Sequence, residues 1–333
     1  MIKNQTGYAT MAVFGITLIV SAILLAYGIW VRWEAQTTKS FLEREIERQK
    51  LNDGIGQAIE LLLVDDEMEV DWLGEAWAKH LETEDFAVQI IDEGSKLGIN
   101  WIDERLWKNL LPTNHEKLES LFSELREEKR LISSIEEVNS RLDVDLNGNI
   151  FTVYSMFNVN IMGEFELESL WRSMGMDQLR ARSAAAEIVR KRNEQRLNEI
   201  GELEKVNLLP RSIVERLEPW LVFTGPININ TAPSEVLAAV LKHYDLDEKV
   251  GNLVRVRATR PIHNHSELAE LLDSELVDDQ GNLNELGRWF CFQSQIFRIS
   301  GETSSRRIET IVKRTRDEAR GIWEITVLSW IER

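Results

Sequence analysis

The chain has 333 residues, room for one large domain or two ordinary ones plus an appendage, and its 43% hydrophobic and 29% charged residues are a globular composition rather than a disordered or collagen-like one. With 39 Lys and Arg against 56 Asp and Glu the formal net charge is -17, which argues against general nucleic-acid binding, where a basic surplus meets the phosphates. The single cysteine, Cys291, excludes an internal disulfide framework and a cysteine-based zinc site, and a mean hydropathy of -0.25 excludes a polytopic membrane protein but not a single anchor.

No residue from Tyr8 to Val31 is charged. At about 1.5 Å per residue this run is about 36 Å long, enough to cross a hydrocarbon core of roughly 30 Å. Tyr27, Trp30 and Trp33 gather at its C-terminal end like an interfacial aromatic belt, and Arg32 stops it. The basic residues flanking the run do not by themselves set its orientation. Beyond it, Leu42, Ile46, Leu51, Ile55, Ile59, Leu62 and Leu63 recur at helical spacing, which predicts one helix from Tyr8 to about Val64, with Gly54 and Gly56 as points of bending.

Downstream, Trp72, Ala76 and Leu81 have the spacing of a second helix over Asp71–Leu81, and Phe86–Glu93 reads as a strand closed by Gly94. A hairpin with Asn147-Gly148 as its turn is predicted between Leu142 and Tyr154. Three more strands are predicted at Gln295–Glu302, Arg307–Thr315 and Trp323–Glu332. The block between is mostly helical and internally repeated. One unit opens at Ile227–Leu241 and another at Asn158–Trp171, so that Asn158 and Asn160 correspond to Asn228 and Asn230; a fainter one opens at Gly98–Leu111 with Asn100. Leu-rich segments at Ser123–Glu127, Gly201–Lys205 and Ser266–Leu271 are the expected ends of the units. In Ile227–Leu241 the expected helix cap is Asn230 or Thr231, followed by Ala232 and by Pro233 in the first turn.

Candidate ligand sets are sparse. Asp143, Asp145 and Asn147 before Gly148 match the first half of a calcium loop, but Tyr154 stands where the bidentate Glu is required, so a polar turn competes with a calcium site. Asp278 and Asp279 form a second acidic loop of the same ambiguity. His263 and His265 lack a third ligand nearby, and Arg255, Arg257 and Arg260 read as a solvated or ion-paired helix face. No nucleophile elbow, phosphate loop, dinucleotide fingerprint or zinc-protease motif occurs, so no enzyme is expected.

The N-terminal MIKNQTG followed by YATMAVFGITLIV resembles a prepilin-type leader, with the processed bond at Gly7–Tyr8. Relatives with such leaders usually carry Glu at the position of Ala12; its absence resembles one class, the K-type minor pseudopilins of type II secretion. Ile227–Leu241 also resembles the helix-hairpin-helix family, although the hairpin at His243–Asn252 has lost both phosphate-holding glycines and gained acids. Asp71–Trp77, Ile90–Asn100, Ile227–Leu237, Phe297–Gly301 and Ile311–Arg314 extend the resemblance to K-type minor pseudopilins over nearly the whole chain.

The resemblance implies an α+β fold, in which a long N-terminal transmembrane and amphipathic helix carries a pilin-like antiparallel sheet interrupted by a large all-α insert of helix-hairpin-helix or SAM-like type. The implied divisions are a leader at 1–7, an N-terminal helix at 8–66 with its membrane anchor at 8–31, a pilin-like domain at 67–98 and 288–333, and the insert at 99–287. The insert is expected in two parts, and 108–137 stands outside that expectation. The anchor includes Tyr8, Ala12, Trp30, Val31 and Trp33. The implied function is to cap a pseudopilus tip and prime its assembly for protein export. Implied partners are the I- and J-type minor pseudopilins, with H-type as a further candidate, the inner-membrane assembly platform and a prepilin peptidase; the one cofactor the family allows is calcium. The implied location is the inner membrane, single-pass, with the N-terminus cytoplasmic and the C-terminal domain periplasmic. The alternative from another class is a membrane-anchored helix-hairpin-helix DNA-binding protein of a competence or type IV pilus machine.

Overall fold

The computed structural model describes residues 5–64, 69–83, 86–100, 104–110, 115–128, 130–155, 157–195, 197, 200–223, 225–277, 283–317 and 322–332. Its first element is α1 (Gln5–Leu63), an uninterrupted helix of 59 residues containing no proline. At about 1.5 Å per residue it is roughly 88 Å long. The helix runs unbroken through Gly54 and Gly56. A Cβ on Gly54 would stand 2.8 Å from the Phe86 ring and 2.9 Å from Val88, so glycine here lets a strand lie against the helix, whereas a Cβ on Gly56 would meet only open space.

The sheet comprises β1 (Leu81–Glu82) and β2 (Ala87–Asp92), followed much later in sequence by the strands Ile296–Glu302, Arg307–Asp317 and Ile322–Glu332, in that spatial order and antiparallel throughout. Alternation does the sorting. Val88 and Ile90, with Phe297, Ile299, Ile308 and Val312, point to α1 and bury Leu51, Ile55, Ala58 and Leu62 in one core. The expected second helix at Asp71–Leu81 does not form. The Glu75 carboxylate accepts the Trp72 N–H at 2.7 Å and the Trp77 indole N–H at 2.6 Å, folding the stretch into turns. Trp77 then lies edge-on to Phe297, 5.2 Å between centroids.

Between β2 and the late strands the chain runs through β3 (Leu97–Gly98), α2 (Glu104–Leu110), α3 (His115–Glu127), α4 (Ile135–Leu142) and β4 (Phe151–Thr152). It continues with β5 (Phe157–Asn158), α5 (Glu164–Ser173), α6 (Gln178–Glu194), α7 (Ile200–Glu204), α8 (Arg211–Leu217) and β6 (Leu221–Val222). Then come β7 (Ile227–Asn228), α9 (Ser234–Lys242), α10 (Val250–Arg257), α11 (His265–Leu272) and β8 (Phe290–Cys291), before β9 (Ile296–Glu302), β10 (Arg307–Asp317) and β11 (Ile322–Glu332). Three units are therefore complete, each opened and closed by a two-residue parallel pair: β3 with β4, β5 with β6, β7 with β8. One continuous apolar core runs through all three.

The faint first unit is thus a full member, and three details of the sequence expectation change. The Asn147-Gly148 turn makes no hairpin among the described residues, because the strand after it pairs in parallel with β3, the opening of its own unit. Ser123–Glu127 lies in α3, the middle helix; the counterpart of α11 is α4, which shares its side-chain N-cap (Ser134, Asn264) and its left-handed aspartate C-cap (Asp143, Asp273). Neither Asn230 nor Thr231 caps α9, whose N-cap position is Pro233; both side chains are used elsewhere.

Candidate functional site

Asn100, Asn160 and Asn230 hold equivalent places and make equivalent clamps. Each side chain donates to a backbone carbonyl and accepts the same residue's N–H: Ile132 at 3.1 and 2.9 Å, Leu197 at 2.8 and 3.1 Å, Ile262 at 2.9 and 2.8 Å; Asn160 donates to the Phe223 carbonyl as well, at 3.0 Å. An amide is the side chain that satisfies a buried donor and acceptor together. Asn158 and Asn228, two residues earlier, each accept the N–H of the clamp asparagine at 2.9 Å. Ala232 is buried in the same turn, its N–H donating to the Asn228 carbonyl at 3.0 Å. In the second and third units an arginine adds a further tie: Arg192 donates to Val159 O at 2.8 Å and Arg257 to Ile229 O at 2.7 Å. Burial lowers both guanidinium pKa values, that of Arg192 to about 10 with Arg288 nearby adding to the shift. Arg257 is accordingly no solvated cation, and Arg260 pairs with Glu267; two of the three arginines of the basic cluster are engaged within the chain.

Where the third unit meets the sheet, polar side chains are buried together. Asp92, at the end of β2, accepts the Gly94 N–H at 2.7 Å and the Ser294 hydroxyl at 2.5 Å, and also the hydroxyl of Thr231. Asn228 donates to the Asp71 carbonyl at 3.0 Å and to Ser294 Oγ at 2.9 Å. The Asp71 carboxylate accepts the Ser294 N–H at 2.6 Å and pairs with Arg314, whose guanidinium lies 4.5 Å from the Trp323 ring centroid. Beside it Glu93, fully buried, pairs with Lys96 at 2.9 Å and Arg298 at 2.8 Å and accepts the Thr152 hydroxyl of the first unit. Burial raises the Asp71 carboxyl to about 6, outweighing the attraction of Arg314, and raises Asp92 likewise; it also pushes the Cys291 thiol up. Arg298 is raised, because the attraction of Glu93 and Glu309 exceeds the opposing effect of its burial.

This junction ties together segments far apart in sequence and leaves no room for a substrate. The pocket beside it, lined by Gly94, Cys291 and Ser294, holds about 30 Å³, one water at most. Sequence reasoning missed Asp71, Asp92, Glu93, Ser294, Arg298 and Arg314 as a group. Two carried a signal: Asp92 follows Val88 and Ile90 on the inward parity of β2, and Arg314 follows Ile308 and Val312 on that of β10.

The calcium candidates fall on a helix end and a turn. Asp143 is the left-handed C-cap of α4, Asn147 accepts the Asn149 N–H at 2.9 Å, and Asp145 is exposed. Among the described residues no three His, Cys, Asp or Glu side chains are placed to share a metal ion, and Asp278 and Asp279 lie outside the described residues. His265 faces the Gly287 and Phe290 carbonyls at 3.1 and 3.2 Å.

The other distinctive surface is the first half of α1. Tyr8, Ala12, Trp30, Val31 and Trp33 are all exposed, and Gly7 lies within the helix. Within Tyr8–Leu63 lies a stretch apolar and long enough to cross a membrane, and none of it is buried inside the chain. The Thr17 hydroxyl donates to the Val13 carbonyl at 2.9 Å, the internal satisfaction a lipid environment demands.

No family model matches the chain, and no curated protein matches it significantly. Among solved structures it is similar to a chain of the crystal structure of the GspK-GspI-GspJ complex from the type 2 secretion system of enterotoxigenic Escherichia coli. The alignment covers 89% of this chain and 99% of that one, at 14% identity and a TM-score of 0.39.

Proposed function

We propose that this chain is a minor pseudopilin of the type II secretion system, of the K class, which sits at the tip of a short pseudopilus and primes its assembly for protein export. The observation that carries this reading is the division of α1: its first half is apolar and wholly unburied, while its second half is the spine of an antiparallel sheet into which a three-unit helical block is inserted. The first half then holds the chain in the inner membrane, N-terminus cytoplasmic, and later packs against neighbouring helices; the sheet and helical block form a periplasmic head. Residues 1–7 are the leader, cut at Gly7–Tyr8. The work is packing against the I- and J-type heads, not chemistry, and the junction supports that, since its buried carboxylates are spent on structural ties.

The test is expression of the full chain with prepilin peptidase and the I- and J-type proteins. The expected result is a mature N-terminus at Tyr8 by mass spectrometry and recovery of all three proteins in one complex. A chain still beginning at Met1 in peptidase-competent cells, or one that never co-purifies with either partner, would sink the proposal.

A further inference from the structure

The three clamps are not equally spaced. Asn100 reaches 32 residues ahead and Asn230 reaches 32, but Asn160 reaches 37. The added length can be located. Gly175 and Asp245, both with positive φ (97° and 57°), hold the same place after their clamp asparagines, and Arg192 and Arg257 hold the same place before the clamped residues. From Gly175 to Arg192 is 17 residues and from Asp245 to Arg257 is 12, so the extension of five lies between Gly175 and Arg192, where α6 takes the place of a 3-10 turn at Asp247–Lys249 running into α10. Since the third unit closes the same clamp without them, the scaffold does not require these residues.

The extended helix buries Ala181, Ala184, Ala185 and Ile188 and turns Leu179, Arg182, Ser183, Ala186 and Arg190 to solvent on successive turns. Leu179 is 79% exposed, more than any large apolar side chain of the unburied half of α1. Arg182 has no ion-pair partner among the described residues, and Arg190 pairs only with exposed Glu194 of the same helix. Of the five basic residues of α6, Arg182 and Arg190 lie on this face; Arg192 is turned inward, Arg180 pairs with Asp177 and Lys191 with Glu187.

We propose that this face of α6 docks an acidic amphipathic helix of another protein. The two arginines take carboxylates, Leu179 takes an apolar side chain, and Ser183 and Ala186 between them let two helix axes approach closely. The stripe spans about 16 Å, three turns of a partner helix. A membrane surface fits less well, because an interfacial helix needs a broad apolar face and this one offers a single large apolar side chain. The inference does not depend on the pseudopilin assignment.

The test uses the full chain in nanodiscs of zwitterionic lipid. The probe is a fluorescein-labelled helical peptide built of Glu, Leu and Ala with all Glu on one face; the control carries Lys for Glu. Saturable binding of the acidic peptide is expected, weakened roughly tenfold by Arg182→Glu with Arg190→Glu, severalfold by Leu179→Ser, and by raised salt. All three positions are solvent-facing, and an unchanged thermal melt of the variants shows that the head is intact. The proposal is overturned if the control peptide binds equally, if the variants bind as the native chain does, or if only phosphatidylglycerol vesicles or duplex DNA bind.

Discussion

Asn230 occupies a position where deletion of one side chain orphans two backbone groups. Ile262 is fully buried, and its N–H and C=O have the Asn230 amide as their partner. Leaving a buried donor or acceptor unsatisfied costs about 1–3 kcal/mol each. Asn230→Ala is therefore expected to destabilise the head by about 3 kcal/mol in denaturant unfolding, and Asn230→Asp, which keeps the acceptor but sets a carboxylate against a carbonyl, no less. A loss under about 0.5 kcal/mol would mean the clamp contributes geometry only. Asp71 makes a prediction with a sign. Its folded pKa is raised from 3.8 to about 6, so between those values the folded chain holds a proton that the unfolded chain has released. The stability this group contributes is full below about pH 4 and is lost as pH rises through 6, by on the order of 3 kcal/mol. The stability difference between the native chain and Asp71→Asn should thus fall over that window. A difference that grows instead would show that the Arg314 pairing outweighs burial.

At the scale of elements, the contact of α1 with β2 turns on a glycine. Gly54→Val is expected to destabilise the head by about 1–3 kcal/mol, since the new methyls meet Phe86 and Val88, whereas Gly56→Ala, two residues away in open space, should stabilise α1 by up to about 1 kcal/mol through helix propensity alone. Thermal melts of the two variants moving in the same direction would contradict the packing argument. The same pair shows what sequence carries and what it does not. Period and composition reveal the helix and the late strands, because they are long and their apolar positions repeat. They do not tell a glycine that bends from one that admits a neighbour, since that depends on residues more than thirty positions away. The Asp71–Leu81 stretch likewise has a helical spacing, overridden when Glu75 captures the N–H groups of Trp72 and Trp77. In the helical block, Asn at the opening of each unit was legible, yet the shared clamp was not, because its partners Ile132, Leu197 and Ile262 are apolar residues recognised through their backbone.

Over the whole molecule, one end of α1 is unburied and the other is locked into a head whose inserted block is joined to the sheet through Thr231 on Asp92, Thr152 on Glu93 and Asn228 on the Asp71 carbonyl. Under the proposed function, that asymmetry bears on position in a fibre. Ala12 lies in the unburied half, where a carboxylate would sit in an apolar environment. An ionised side chain there is costly unless an opposite charge is fixed beside it. The fixed charge available to a processed subunit is the terminal amine of a neighbour on its tip side, and a subunit with no such neighbour gains nothing from an acid. A head enlarged by three helical units would also obstruct further heads stacking above it. Ala12→Glu is therefore expected to leave secretion unimproved or to reduce it, measured as export of a reporter substrate in cells lacking the native copy. Gold labelling of the head should mark one end of each fibre. A gain of export with Ala12→Glu, or label spaced along the shaft, would place the protein among the repeating subunits instead.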